Sequence, residues 1–251
     1  MSRARALFIN VYQTFGKRDC WIYMRNLILI RHGESEWNRL NLFTGWTDVD
    51  LTDKGREEAR EAGRKVRAAG ILPEYYFTSF LRRAIHTLQL AAAELEREWV
   101  PVVKDWHLNE RHYGALQGLD KAATAKKYGE EQVHIWRRSY DTAPPALTPD
   151  DPRFPGNDPR YASLTADELP LTESLRQTIG RVRCVWEEKI VPALEHYGDV
   201  MVVAHGNSLR ALAMMLLGLT PDQVTSLEIP TGTPWVFELD GRCRIVKQYR
   251  L

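Results

Sequence analysis

The chain has 251 residues, 44% of them hydrophobic and 27% charged, and a formal net charge of +1. A chain of this size and make-up can bury a substantial core. Its near-neutral balance excludes a global field for nucleic acid or an anionic membrane, so any acidic ligand must be drawn by a local group of cations.

Residues 1–25 are basic and acid-poor, but they carry neither a sustained apolar segment nor a small-residue cleavage pattern. They read as an extension outside the core, with the domain running over 26–251. Asn26 to Ile30 reads as a buried strand, and Asp53 to Ala69 has helical spacing stopped by Gly70. Glu74 to Thr78 predicts a second strand, Leu81 to Glu98 a helix, and Val100 to Val103 a short strand. A helix-rich stretch follows from Ala122 to Ser139. Thr142 to Pro159 holds six prolines and reads as an irregular loop. A long helix is expected over Thr172 to Tyr197, capped by Thr172 and disturbed at Pro192. Val200 to Ala204 is a strongly apolar strand, and Asn207 to Leu217 a helix ended by Gly218. Trp235 to Leu239 and Arg244 to Tyr249 close the chain as strands. Strands alternating with helices imply a mainly parallel central sheet with helices on both faces, an α/β fold. The apolar runs are too short to cross a bilayer. Cys20, Cys184 and Cys243 fit neither a metal-ligand spacing nor a disulfide framework.

Two strands end alike. Leu27 to Ile30 runs into Arg31-His32-Gly33, and Met201 to Ala204 into His205-Gly206-Asn207. Ligands of such sheets bind beyond the carboxyl ends of the strands, so both imidazoles emerge where chemistry is expected. Arg31 and Arg83 offer guanidinium forks that match phosphate oxygens, whereas Arg82 reads as a surface charge. The helix starting at Asn207 adds a positive dipole end. Neutral imidazole is a competent phosphoryl acceptor near pH 7, so His32 is the candidate nucleophile and His205, if protonated, the stabiliser of the transferring oxygens. A Walker-type loop is absent from the sequence, which disfavours a nucleotide-driven kinase. Proton transfer needs a carboxyl, and Glu110 is a candidate because nearby phosphate would raise its pKa. Glu34 and Glu36 compete with it on spacing alone.

The stretches LILIRHGESEWN (27–38), FTGWTDVDLT (43–52), TSFLRRAIHT (78–87), LNERHYGALQGLDKA (108–122), WRRSYDTAPP (136–145) and AHGNSLRAL (204–212) resemble the cofactor-dependent phosphoglycerate mutases of the histidine phosphatase superfamily. The resemblance runs from about Asn26 to Leu251. It implies that His32 carries the phosphoryl group, that Glu110 is the general acid and base, and that Arg31, Arg83 and His205 hold the transferred group. Asn38, Gly206 and Asn207 would stand beside them. Thr44, Gly45, Tyr113, Lys121, Arg137 and Arg138 would meet the other end of the ligand. Gly33, Glu34, Ser35, Glu36 and Trp37, with Arg111 and His112, would complete the binding surface.

The resemblance further implies interconversion of 2- and 3-phosphoglycerate in glycolysis and gluconeogenesis. It implies priming by 2,3-bisphosphoglycerate, no metal, and a cytoplasmic homodimer or homotetramer acting on small phosphorylated three-carbon acids, with no nucleic-acid or membrane partner. A bisphosphoglycerate mutase or phosphatase on the same scaffold shares His32, Arg31, Arg83 and His205. A non-catalytic sensor would be expected to lack the nucleophile or the acid. Many relatives carry a further tail past the last strand that closes over the site. The stop at Leu251 therefore predicts a higher ratio of phosphatase to mutase activity.

Overall fold

A computed structural model describes residues 24–251. In chain order the elements are β1 (Arg25–Arg31), α1 (Glu36–Arg39), α2 (Asp53–Ala68), β2 (Tyr75–Thr78), α3 (Arg82–Glu94) and β3 (Val102–Lys104). Then come α4 (Lys121–Tyr128), α5 (Glu130–Arg138), α6 (Leu175–Val185), α7 (Val191–Tyr197), β4 (Val200–Ala204) and α8 (Gly206–Leu217). The last are α9 (Pro221–Ser226), β5 (Trp235–Leu239) and β6 (Ile245–Arg250).

The strands form one sheet in the order β3-β2-β4-β1-β5-β6. The first four are mutually parallel, while β5 and β6 run antiparallel at one side. Successive strand residues face opposite sides, and both sides are apolar. Leu27, Leu29, Val200 and Val202 pack with Ile179, Val182 and Leu209, under α6 and α8. Ile28, Ile30, Met201 and Val203 pack with Ala62, Val66, Leu88 and Ala91, under α2 and α3. Each of the Leu, Ile, Val and Met side chains among them contributes about 1.5–3 kcal/mol on leaving water. The result is an α/β fold with a mostly parallel sheet covered on both faces.

Several boundaries differ from the sequence reading for local reasons. Arg25, assigned to the extension, opens β1 and pairs with Leu239; residues 1–23 of that extension lie outside the described residues. The helix expected to reach Glu98 stops at Glu94, because Glu96 takes a left-handed φ of 56°. Gly129, at φ 89°, divides α4 from α5. The long helix starts at Leu175, not Thr172: Ser174 accepts from the Gln177 N–H in a reciprocal capping box. Thr172 instead donates to the Pro144 carbonyl and ties down the proline-rich stretch. Pro192 lacks the N–H that a regular helix needs there, and a π-helical turn over Trp186–Ile190 precedes it. The helix α9 has no counterpart in the sequence reading, although Thr220 and Gln223 form a legible capping box at its start.

Candidate active site

Register creates the site. β1 and β4 are parallel neighbours with Arg31 opposite Ala204, so His32 and His205 leave the sheet side by side. The His32 N–H donates to the Ala204 carbonyl at 3.0 Å, and the two imidazole centroids lie 5.0 Å apart. Close backbone packing allows the turn after His32: a side chain on Gly33 would collide with the Gly55 carbonyl, and Gly55 would collide with Glu34.

The His32 ring is buried, and its Nδ1 lies 2.7 Å from the Gly33 carbonyl. A carbonyl can only accept, so Nδ1 carries the proton and the Nε2 lone pair is free. Burial first, then the charges of Arg83 and Arg31, lowers the His32 pKa well below the usual imidazole value. A neutral ring with a free Nε2 is a nucleophile at pH 7. Burial first, then the charge of Arg83, lowers the His205 pKa as well, which favours the neutral ring. Its Nε2 lies 2.7 Å from Ser79 Oγ, which already accepts from the Leu81 N–H. When Ser79 donates to Nε2, the proton is carried by the other ring nitrogen, Nδ1. That atom, like Arg31 Nε and Arg83 Nε, is buried without a hydrogen-bond partner among the described residues. Three unpaired donors around a nucleophilic nitrogen form a ready cradle for phosphoryl oxygens.

Arg83 is 1% exposed at the start of α3 and spends both terminal nitrogens on backbone, donating to Thr47 O at 2.9 Å and Gly45 O at 2.8 Å. Burial pulls its pKa down to about 10, which leaves it charged at neutral pH. Arg31 Nη1 donates to Ile229 O at 3.0 Å. Arg82, by contrast, turns outward to Asp48.

The Glu110 carboxylate is set between the two halves of the site. Its Oε1 accepts from the Arg111 N–H at 2.8 Å and from the Asn207 N–H, in the first turn of α8, at 3.0 Å. Burial by itself would raise its pKa. These hydrogen bonds and the charges of Arg31 and Arg83 outweigh it, and the net shift is downward. The sequence expectation of a raised pKa assumed bound phosphate; with these partners alone the carboxylate is ionised.

These residues open on a cavity of about 270 Å³. Arg31, His32, Asn38, Thr44, Gly45, Arg83, Glu110, Tyr113, Lys121, Arg137, Arg138, Gly206 and Asn207 line it. His205, fully buried with its ring centroid 5.0 Å from that of His32, is not among the lining residues. The remaining residues assigned to the binding surface do not line the cavity. Glu34 accepts from Thr52 and Lys54, and Ser35 caps α1. Gly33 is committed to its contact with Gly55, and Glu36 and Trp37 lie on α1 outside the lining. Arg111 is fully buried, donates to the Trp136 and Arg137 carbonyls, and stacks on Tyr113. His112 is also buried, with burial pushing its pKa down to about 4. Both brace the wall from behind.

Sequence reasoning missed Glu228, which also lines the cavity, and four further contributors. Arg210 lines the cavity and reaches Asn207 Oδ1 at 3.3 Å; it lies three residues after Asn207 on one helix face, a legible signal. Ser79, Arg181 and Glu173 act through long-range contacts that leave no local pattern. Arg181 pairs with Glu173 at 2.6 Å. It also donates to the His107, Asn109 and Glu110 carbonyls, holding the segment that carries the acid.

A profile described as histidine phosphatase superfamily (branch 1) matches residues 27–251. Solved structures agree in fold. A mycobacterial glucosyl-3-phosphoglycerate phosphatase, solved with VO3, is 25% identical over 85% of this chain and 92% of that one, with a TM-score of 0.66. A structure described as mycobacterial hydrolase 1 is 23% identical over 91% and 97%, at 0.68. A phosphoserine phosphatase from Entamoeba histolytica, solved with 3-phosphoglyceric acid, is 20% identical over 84% and 89%, at 0.58.

Proposed function

The chain belongs to the histidine phosphatase superfamily, branch 1, and on that premise we propose that it interconverts 2- and 3-phosphoglycerate through a phosphorylated His32 primed by 2,3-bisphosphoglycerate. Phosphoryl transfer itself comes with the family. One observation supports the mutase reading: beyond the Arg31–Arg83 cradle the same cavity is lined by Lys121, Arg137, Arg138 and Arg210. A monophosphate hydrolase needs one anion site, whereas a mutase must hold an intermediate with two phosphates and a carboxylate while it turns around.

The chemistry runs as two transfers. With His32 phosphorylated, the free hydroxyl of 3-phosphoglycerate attacks phosphorus, the P–N bond breaks, and ionised Glu110 takes the hydroxyl proton. The 2,3-bisphosphoglycerate so formed reorients. His32 Nε2 then attacks the other phosphorus, and Glu110 returns its proton to the departing oxygen. The unpaired donors on Arg31, Arg83 and His205 hold the transferring oxygens at each step. The same reading places the enzyme in the cytoplasm, in glycolysis and gluconeogenesis, as a homodimer or homotetramer.

A second reading is a phosphatase, in which water replaces the hydroxyl as acceptor. The similar structures favour it, since the 25% identical one is named as a glucosyl-3-phosphoglycerate phosphatase. Turnover of 3-phosphoglycerate, with and without catalytic 2,3-bisphosphoglycerate, separates the two. The mutase gives 2-phosphoglycerate that depends on the primer and exceeds released phosphate by far. Phosphate release equal to substrate consumed supports the phosphatase instead.

A further inference from the structure

The cavity is lined by two carboxylates, and proton transfer accounts for only one of them. The other, Glu228, accepts from Arg138 Nη2 at 2.7 Å through Oε1. The two side chains are 70% and 30% exposed, so the pair sits at the water-facing lip. The backbone beneath it is fixed. Leu227 O accepts from Arg210 at 2.8 Å, Glu228 O from Arg250 at 2.8 Å, and Ile229 O from Arg31 at 3.0 Å. Two of these arginines, Arg31 and Arg210, line the same cavity. An anchored segment thus lays an acid on one of the cations that a second ligand anion would use.

We propose that Glu228 is a specificity-determining residue, an internal anion that competes with the ligand's second anionic group for Arg138. The inference rests on reading the cavity as a site for ligands with two anionic groups. A ligand anion that takes the Arg138 Nη2 donor must displace Glu228 from it, and its apparent affinity falls by the fraction of molecules in which that donor is free. A ligand with one anion, held only by the His32 cradle, is unaffected. Exposed ion pairs are weak, which sets the penalty at about two- to fivefold. That softens the hold on a bisphosphorylated intermediate that must let go and reorient.

Calorimetric titration of the full chain and its Glu228→Gln variant tests this with a matched pair of non-transferable probes. One is 3-phosphonopropionate; the other is propylphosphonate, in which a methyl group replaces the carboxylate. The variant should bind 3-phosphonopropionate about two- to fivefold more tightly and propylphosphonate unchanged. No gain for the first probe overturns the inference, and an equal gain for both does so too, because that is a general field effect and not displacement. If the wild type itself fails to prefer 3-phosphonopropionate, the two-anion reading falls together with the inference. A wild type that prefers it, with no change in the variant, removes the inference alone.

Discussion

Replacing Arg181 by methionine tests whether the acid is held by a buried ion pair behind it. The Arg181 and Glu173 side chains are 8% and 5% exposed and meet at 2.6 Å. Methionine removes the charge and strips a donor from the His107 and Asn109 carbonyls; the Glu110 carbonyl keeps Trp46 Nε1 at 2.6 Å. Glu173 is left buried and uncompensated, still bound to the His112 N–H at 2.7 Å. Breaking a buried pair from one side costs about 3–5 kcal/mol. For a chain of this size that is a fall in Tm of about 6–20 °C. Urea unfolding should show a lower midpoint at unchanged slope. Adding Glu173→Leu should cost less than a second full penalty, since it removes the stranded charge and newly unpairs only the His112 N–H. Turnover should fall in the single variant even where it is fully folded, because the segment carrying Glu110 loosens. A loss of stability under about 1 kcal/mol, with normal turnover, would refute the reasoning.

Three other perturbations bear on the site. Glu110→Gln keeps the hydrogen-bond geometry but cannot move a proton, so steady-state turnover should drop on the order of a hundredfold or more while His32 still accepts a phosphoryl group slowly; near-normal turnover removes Glu110 from its role. Arg83→Lys offers one ammonium where a fork serves Thr47 O and Gly45 O, and kcat/KM should fall at least tenfold, checked against the unfolding midpoint so that lost stability is not mistaken for lost chemistry. The third concerns pH. His32, His205 and His112 are buried with lowered pKa values, His112 to about 4. Between pH 6.5 and 4 the unfolded chain takes up protons that the folded chain refuses, so stability present above 6.5 is lost as pH falls through that window. For His112 alone the loss is on the order of 3 kcal/mol. Equilibrium unfolding at pH 7 and 5 should show the decline, and His112→Gln should make it shallower by the share of that one imidazole.

What the sequence conveyed about the site was carried by strand ends. Identical grammar after β1 and β4 put His32 and His205 at equivalent points, but only the pairing of Arg31 with Ala204 makes them neighbours. Residues close in sequence to the motifs were harder to sort. Glu34 and Trp37 share a motif with His32, yet the turn at Gly33 sends Glu34 toward Lys54 and Trp37 onto the short α1. Arg111 and His112 directly follow Glu110, yet both are buried in the wall, since neighbours along an irregular segment point in different directions. Ser79 and Arg181 reach the catalytic segments through tertiary contacts, which no local pattern announces. The sheet was legible because its apolar runs are short, dense and separated by helices. The missed α9 shows the reverse case, in which a short capped turn has too few apolar residues to declare a period.

The proposed reaction requires phosphorylation of one imidazole nitrogen. Rapid mixing with radiolabelled 2,3-bisphosphoglycerate, followed by peptide mapping, should place an acid-labile, base-stable label on His32 and none in His32→Ala. An acid-stable label, or one that persists in that variant, would contradict the assignment of the nucleophile.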